Sequence, residues 1–554
     1  MEKWVIKEKR ADVNAIARQF SIDPVIARLI VNRDILGDEA IEQYLNGTLD
    51  QMADPFLMKG MEQAVTILKQ KIAVGALIRV VGDYDIDGIM STFLLTTGLK
   101  ALGARVDYTV PHRIMDGYGI NEAIIRQAKA DGIDTIITCD NGISAGTAVK
   151  LAKALGMTII ITDHHDVFEL PAADAVVDPK QEGCTYPYKY LCGAGVAWRL
   201  LTAMDCPAAQ DLIGYAAFAT IGDIVPLTGE NRILVRAGLK QLRETDNIGL
   251  QKLMAVNNVN PRELRSMTIS FTLGPCLNAS GRLGSALEAI HLLECTDGAE
   301  AETIALHMKS MNEERKRMTE EGVLMAERIM DEEALRNDPV YVVYLPDCHE
   351  SVAGIIAGRL KEKYHHPVYV LTRSNDLVKG SGRSTEAYDM VAGLKGCADL
   401  LVKFGGHPLA AGISLKEEQI EAFRRRLNDN CGLTPEDMVE KVVVDVELPM
   451  SDVTEGLLEQ LDLLEPFGQN NKAPVFGLRQ VTAVSVRVVG RENNVLKMKL
   501  RDLNGFYFDA VSFRNNEGLS DLLAEKRPFT IIYSPQLNEY RGRRSISAVI
   551  DRYR

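Results

Sequence analysis

Three short, apolar, β-branched runs that stop abruptly in polar residues organise the first part of the chain. Residues 77–81 run into G-D-Y-D-I-D-G, residues 134–138 into C-D-N-G, and residues 159–162 into D-H-H-D. Runs of this length and composition read as buried parallel strands that deliver their C-terminal ends to a site. Open α/β sheets bind ligands outside the carboxyl ends of their strands, so three such ends can converge on one crevice.

The surrounding pattern divides the chain into five parts. Residues 1–75 read as helical and polar, with amphipathic spacing over 11–20 and 38–45 and a further helix over 59–71, and are expected to cap the first domain. A helix-turn-helix binder is the weaker reading of that stretch. Over 76–300 strand and helix alternate as far as about 230, with a helix after Gly88, a strand at 106–110, a helix at 145–155 and a strand end at 175–178. The helical remainder is broken at 273–284 by L-G-P-C-L-N-A-S-G-R-L-G, a loop whose small residues let backbone approach a ligand. Residues 301–337 form one long charged helix, a rigid connector between lobes. Residues 338–435 form a second α/β unit with two Gly-rich loops, V-K-G-S-G-R-S at 378–384 and F-G-G-H-P-L-A-A-G at 404–412. Residues 436–554 alternate in β fashion over five or six short strands, with a turn at 492–494, which suits a small barrel of the oligonucleotide-binding (OB) type. The fold class is therefore α/β, with two lobes joined by a long helix and a C-terminal OB-type β-barrel.

Composition narrows this picture a little. At 554 residues, 46% hydrophobic and 25% charged, the chain is an ordinary soluble protein of several domains. The net charge of −13 excludes a uniformly basic coat, though not a local basic groove. The nine cysteines include no C-x-x-C pair, which argues against thiolate zinc sites and for reduced thiols in the cytoplasm. No signal peptide and no membrane-length apolar run is visible, and a monomer is the default.

The chemistry sits at the strand ends. Asp85, Asp87, Asp140 and His164 would share a pocket, with His165 at its edge. Asp223, set between Gly222 and Ile224, would need a partner if buried, and a metal could supply it. Carboxylates with imidazole suit Mn²⁺ or Mg²⁺ better than a thiolate-seeking metal. Each aspartate alone is most often a helix N-cap or a turn residue; their joint placement at strand ends carries the reading. Arg113 and Arg282 offer phosphate forks, and Ser381, Arg383 and His407 lie in the Gly-rich loops, where backbone donors and point charges can grip a phosphate. Arg541, Arg543, Arg544, Arg552 and Arg554, interleaved with Tyr533, Tyr540 and Tyr553, have the composition of a single-strand-binding surface.

At D-Y-D-I-D-G, C-D-N-G, D-H-H and G-D-I-V-P-L the chain closely resembles the DHH phosphoesterase superfamily. G-G-H-P-L-A-A-G is similar to the first type of DHH-associated domain. L-N-A-S-G-R, the connector helix and the terminal β-domain narrow the resemblance to the bacterial single-strand-specific 5′→3′ DNA exonucleases. E-P-F-G-Q-N-N at 465–471 departs from that family's usual G-x-G-N, and an additional C-terminal partner-binding domain is not expected. The resemblance implies that Asp85, Asp87, Asp140, His164 and Asp223 bind two divalent ions, Mn²⁺ or Mg²⁺, with Asp83 a sixth candidate. It implies a catalytic set of His165, Asp140 and His164, with His165 contacting the scissile phosphate or assisting proton transfer. Arg113, Asn278, Arg282, Ser381, Arg383 and His407 would hold the 5′ end of the strand. The implied activity is hydrolysis of single-stranded DNA to mononucleotides in repair and recombination, with a RecQ-type helicase and a single-strand-binding protein as partners. Two rival enzymes, a phosphatase or oligoribonuclease of short nucleotides and a cyclic-dinucleotide phosphodiesterase, leave the barrel unexplained or require membrane helices. A metal-free replication scaffold would have no reason to keep a carboxylate cluster.

Overall fold

In a computed structural model, which describes residues 2–113, 115–374, 376–490, 495–513, 517–525, 527–540 and 542–554, the three strand ends lie side by side. The first lobe is built on a five-stranded, all-parallel sheet. Its order is Arg105–Thr109, Leu77–Val81, Thr135–Cys139, Thr158–Thr162 and Ala175–Val177. The registers Val81↔Thr138 and Cys139↔Thr162 bring the polar segments that follow these strands to one edge. Helix Ile86–Ala101 is buried on all sides, because helices Gly193–Ala203 and Ile213–Gly222 pack over it. That explains its near-continuous apolar sequence.

Helix Gly298–Glu332 runs for 35 residues, about 50 Å at the α-helical rise. Its first half contributes Ala301, Ala305, Met308 and Met311 to the core of the first lobe. Its second half contributes Ala326 and Met330 to the core of the second. At Gly322 a Cβ would stand 2.3 Å from Ile356 Cδ1, so this glycine lets helix Glu350–Tyr364 lie close against it.

Three segments expected to be loops are regular structure. Residues 273–284 continue a π-helical turn (Ile269–Leu273) into helix Gly274–Leu283. The small residues there serve packing: a Cβ on Gly281 would stand 2.0 Å from Tyr84 O. The two Gly-rich segments are strands of a five-stranded mixed sheet, Leu377–Arg383 and the hairpin Leu401–His407/Ala410–Leu415. Their glycines make room for large neighbours, since a Cβ on Gly380 would meet Leu371 and one on Gly382 would meet Tyr369 and Met390.

The C-terminal part is a closed barrel. Strands Phe476–Val489, Val495–Arg501, Tyr507–Ser512, Arg543–Tyr553 and Phe529–Tyr540 follow one another, and the last pairs back on the first. The expected turn at 492–494 lies outside the described residues. The N-terminal segment differs most from expectation. Glu2–Ile6 is a strand paired in parallel with Glu440–Val444. Buried residues of helices Val13–Phe20, Pro24–Asn32 and Asp38–Asn46 share a core with the barrel, Ile26, Leu29 and Ile30 joining Phe476, Leu500 and Ile531. Arg232 of the first lobe closes the junction, donating to Tyr44 O (2.8 Å), Leu464 O (2.9 Å) and Leu463 O (2.7 Å) over the face of Tyr44. Segment 465–471 sits in that junction: Leu227 N donates to Gln469 O at 2.8 Å, and the buried Asn471 accepts from Tyr44 Oη at 3.0 Å.

Candidate metal and nucleic-acid site

The turn after Leu77–Val81 is shaped by its own carboxylates. Asp85 caps helix Ile86–Ala101, accepting from Asp87 N at 3.0 Å and Gly88 N at 3.1 Å. Asp87 is fully buried and accepts from Gly193 N (2.6 Å) and Ala194 N (2.7 Å), at the start of helix Gly193–Ala203. Those amides and the positive end of the helix orient its carboxylate. Asp83 is also buried; Oδ1 accepts from Gly119 N at 3.3 Å and Oδ2 has no partner. Asp140 adopts φ +60°, a left-handed conformation that aspartate tolerates. Gly193 must lack a side chain, because a Cβ there would stand 2.5 Å from Asp140 Cβ.

His164 Nε2 lies at the centre, 3.1 Å from Asp140 Oδ1, 3.6 Å from Asp87 Oδ2 and 3.7 Å from Asp223 Oδ2. Asp223 reaches this point from the C-terminus of helix Ile213–Gly222. Possible ligand atoms gather in three overlapping sets: Asp83, Asp85 and Asp140; Asp87, His164 and Asp223; and Asp140 with His164 and His165. Asp163 faces elsewhere, accepting from Ile143 N (2.9 Å), His164 N (2.7 Å) and His165 Nδ1 (2.7 Å). Of the D-H-H triplet, then, the histidines meet the cluster and the aspartate supports them.

The electrostatics separate two kinds of group. Burial, followed by repulsion from neighbouring carboxylates, raises Asp83, Asp140 and Asp223 well above the usual range and Asp87 to about 6. Burial, with the charge of His165 second, pushes His164 down to about 3. Carboxylates that cannot all ionise alone, around a neutral imidazole and an unpartnered buried oxygen, are the donor set a divalent cation satisfies. His165 behaves oppositely. Burial would lower it, but the hydrogen bond and charge of Asp163 outweigh this and raise it to about 9. Burial likewise works against ionisation of Asp163, and the His165 contact overcomes it, holding Asp163 below the usual carboxylate range.

Beside the cluster, a cavity of about 420 Å³ opens between the lobes, lined by Tyr84, Arg113, Ser351, Ser381, Lys403 and Gly405 among others. The Arg113 guanidinium lies 4.8 Å from the Tyr84 ring centre. Arg282 donates to Ser351 O at 2.9 Å, bridging the lobes, and Arg383 donates to Gly382 O at 2.7 Å. Burial and the charge of Arg113 lower both guanidinium groups, Arg282 to about 10. None of these three arginines forms an ion pair among the described residues, although Arg113 and Arg282 feel the charges of Asp83 and Asp85. His407 is exposed, with Nδ1 3.5 Å from Asp166 Oδ2. Asn278 Oδ1 accepts from Ile86 N at 2.9 Å and braces the D-Y-D-I-D turn.

The C-terminal arginine–tyrosine cluster is largely structural. Tyr533 is buried, its hydroxyl donating to Leu448 O at 2.7 Å. Arg552 pairs with Glu440 (2.6 Å) and Glu2, Arg544 with Glu455 (3.3 Å) and Glu539 (3.4 Å), and Arg554 lies over Trp4. Arg541 and the side chain of Tyr540 lie outside the described residues. The open cationic face is another one. Lys497, Lys499 and Arg501 alternate outward along Val495–Arg501, with Arg487 opposite Lys497, the exposed Tyr507 opposite Arg501 and one acidic group, Asp509, opposite Lys499. Period-2 spacing could have identified this face, since every second residue of that strand is charged. The site also uses Tyr84, Tyr118 and the amides of Gly193 and Ala194. Tyr84 lies inside D-Y-D-I-D-G, and the only sequence signal of the others is glycine beside them, in G-Y-G and C-G-A-G.

Residues 77–222 match the DHH family, N-terminal domain; residues 337–432 match the DHHA1 domain; residues 444–552 match the RecJ OB domain. The single-stranded-DNA-specific exonuclease RecJ of Bacillus subtilis is 36% identical over 99% of this chain and 70% of its own. RecJ from Thermus thermophilus, solved in complex with Mn²⁺, superposes with a TM-score of 0.86 at 26% identity, covering 100% of this chain and 79% of that one. The Mg²⁺ complex of the same protein gives 0.79 at 25%, covering 100% and 78%. The chain belongs to the RecJ family of single-stranded-DNA-specific exonucleases.

Proposed function

We infer that this protein is a divalent-metal-dependent 5′→3′ exonuclease that hydrolyses single-stranded DNA to mononucleotides, in DNA repair and recombination. The observation that carries this reading is the His164-centred cluster of buried carboxylates, which opens beside a cavity lined by Arg113, Lys379, Lys403 and Ser381. Asp83, Asp85, Asp87, Asp140, His164 and Asp223 would hold two ions, and oxygen and imidazole donors suit Mn²⁺ or Mg²⁺. When bound, such ions make water nucleophilic near neutral pH and stabilise charge developing on phosphoryl and leaving oxygens.

The chain's own groups do the rest. His165, kept protonated by Asp163, presents a cation to the scissile phosphate and can pass a proton to the departing oxygen. Arg113, Arg282, Ser381 and Arg383 hold the terminal phosphate, with His407 nearby; this fixes cleavage at an end. Asn278 acts through the turn it braces. Lys497, Lys499 and Arg501, with Tyr507 as a stacking surface, take the trailing strand. All these groups come from one chain, so a monomer suffices. No helix among the described residues is long and apolar enough to cross a membrane, and the proposed work is cytoplasmic, on strands opened by a RecQ-type helicase and covered by a single-strand-binding protein.

The test is Mn²⁺-dependent digestion of a long single strand labelled at either end, with duplex and RNA controls. Mononucleotides released from the 5′ end of the single strand are expected. Cleavage confined to dinucleotides would replace this reading with a small-nucleotide phosphodiesterase. We take the groove between the two lobes to admit one strand only, and a blunt duplex cut as fast as a single strand would overturn that.

A further inference from the structure

Between the cavity that Arg113 lines and the catalytic cluster lies an unbroken chain of aromatic contacts. Arg113 packs on the face of Tyr84 at 4.8 Å. Tyr84 meets Tyr118 edge-on, with centroids 6.5 Å apart and planes at 84°. Tyr118 meets His165 in the same manner, at 5.7 Å and 76°. Its hydroxyl donates to Asp140 O at 2.8 Å and lies 3.3 and 3.4 Å from the two ring nitrogens of His165. Being almost equidistant from both nitrogens, the phenol steadies the imidazole as a body and selects neither tautomer. Nδ1 of that ring is already committed to Asp163, so Tyr118 supplies the second restraint on its orientation.

The surroundings of Tyr118 leave this chain responsive to a ligand. Gly117 and Gly119, at φ +79° and +66°, flank Tyr118, and Gly119 leaves little room: a Cβ there would stand 3.0 Å from Asn141 Cβ. Yet Tyr118 remains half exposed, so its ring is held from one side only.

We propose that Tyr84 and Tyr118 are positioning residues which couple capture of the strand's terminal phosphate by Arg113 to the orientation of His165. The proposal rests on the exonuclease reading and deepens it: the enzyme senses a phosphorylated end and is fastest when that end is seated. An anion that fixes Arg113 over Tyr84 holds Tyr84 against Tyr118 and Tyr118 against His165, and so reduces the freedom of the ring that faces the scissile phosphate. Ångström-scale misplacement of a reacting group can cost about 100-fold in rate, so a modest loss of orientation is measurable.

The experiment compares single-stranded oligonucleotides bearing a 5′-phosphate or a 5′-hydroxyl, under single-turnover conditions with Mn²⁺. Affinity is read separately by fluorescence anisotropy in chelator. The wild type is expected to make the first cut faster on the phosphorylated strand. Tyr118→Phe keeps the ring and loses the hydroxyl; it is expected to slow that cut by about tenfold, bring the two substrates together in rate and leave affinity unchanged. Tyr84→Leu, which removes the ring between Arg113 and Tyr118, is expected to abolish the rate difference while leaving affinity for the phosphorylated strand unchanged. Equal slowing of both substrates by Tyr118→Phe, or a phosphate advantage that survives Tyr84→Leu, would overturn the coupling while the exonuclease reading stands. A wild type that prefers neither end would also overturn it. A wild type that cuts no single strand would instead remove the reading beneath it.

Discussion

Three carboxylates lie within 4 Å of one imidazole nitrogen at His164, a balance that the protein alone does not complete. Replacing Asp140 by Asn should therefore lower Mn²⁺-dependent cleavage by about 100-fold or more while leaving strand affinity in chelator intact; undiminished cleavage would remove Asp140 from the metal set. The same residues set a pH dependence. A carboxylate whose folded pKa is raised holds extra protons in the native state, so its contribution to stability falls as pH rises through that pKa. Asp83, Asp140 and Asp223 are all of this kind, and Asp87 titrates near 6. His165, raised to about 9, is stabilising below its unfolded value of about 6.5 and loses that contribution towards pH 9. His164, lowered to about 3, acts in the opposite sense, but only below about pH 6.5. In chelator the melting temperature is thus expected to fall from pH 6.5 to 9. Mn²⁺ should restore most at the alkaline end, and Asp140→Asn should flatten the slope. A chelated protein equally stable across that range would contradict these shifts.

At the scale of elements, strand ends were legible and glycines were misleading. Residues 77–81, 134–138 and 159–162 read correctly because a buried parallel strand needs an apolar run and a polar stop, and both are local properties. The Gly-rich segments did not, because Gly281, Gly380 and Gly382 answer to residues outside their own segments, Tyr84, Leu371 and Tyr369, and Gly406 to the facing strand of its hairpin at Ala410. Likewise the arginines near the C-terminus looked free only because Glu2, Glu440 and Glu455 are far away along the chain. The close approach of helix Gly274–Leu283 to Tyr84 gives a test. Gly281→Ala would push on backbone and should cost about 1–3 kcal/mol in a denaturant titration, with a fall in activity from the displaced D-Y-D-I-D turn; an unchanged midpoint would mean that the helix can retreat. On the barrel, replacing Lys497, Lys499 and Arg501 together by Ala should weaken binding of long strands and reduce the salt slope by about 2, at about 0.7 per contacted phosphate. Cleavage of a dinucleotide should persist. An unaltered slope would place the trailing strand elsewhere.

At the scale of the whole molecule, the barrel is tied to the rest by the junction around Arg232, whose guanidinium is buried, lowered to about 10 mainly by burial, and committed to three carbonyls. Arg232→Met would take that donor from the carbonyls of Tyr44 and Leu463, while Leu464 O keeps Asn471 Nδ2 at 2.8 Å, and is expected to cost about 2 kcal/mol or more in denaturant unfolding. It should also give an earlier, separate transition for the barrel; a single unshifted transition would show that other contacts suffice. The same junction makes deletion of 436–554 a poor probe of strand binding, because it would also strip the N-terminal helices of their core. Substitution on the barrel face separates binding from chemistry more cleanly.

The core shared by residues 17–45 and 448–550 also orders events in time. On the ribosome, the first helices emerge and then wait for roughly 400 further residues before their apolar partners exist. At about 5–20 residues per second this is on the order of 20–80 s, far longer than a helix or a hairpin needs to form. During synthesis Ile26, Leu29 and Ile30 are uncovered surface, which makes this stretch a natural client for a holding chaperone and puts completion of the shared core after synthesis of the barrel strands.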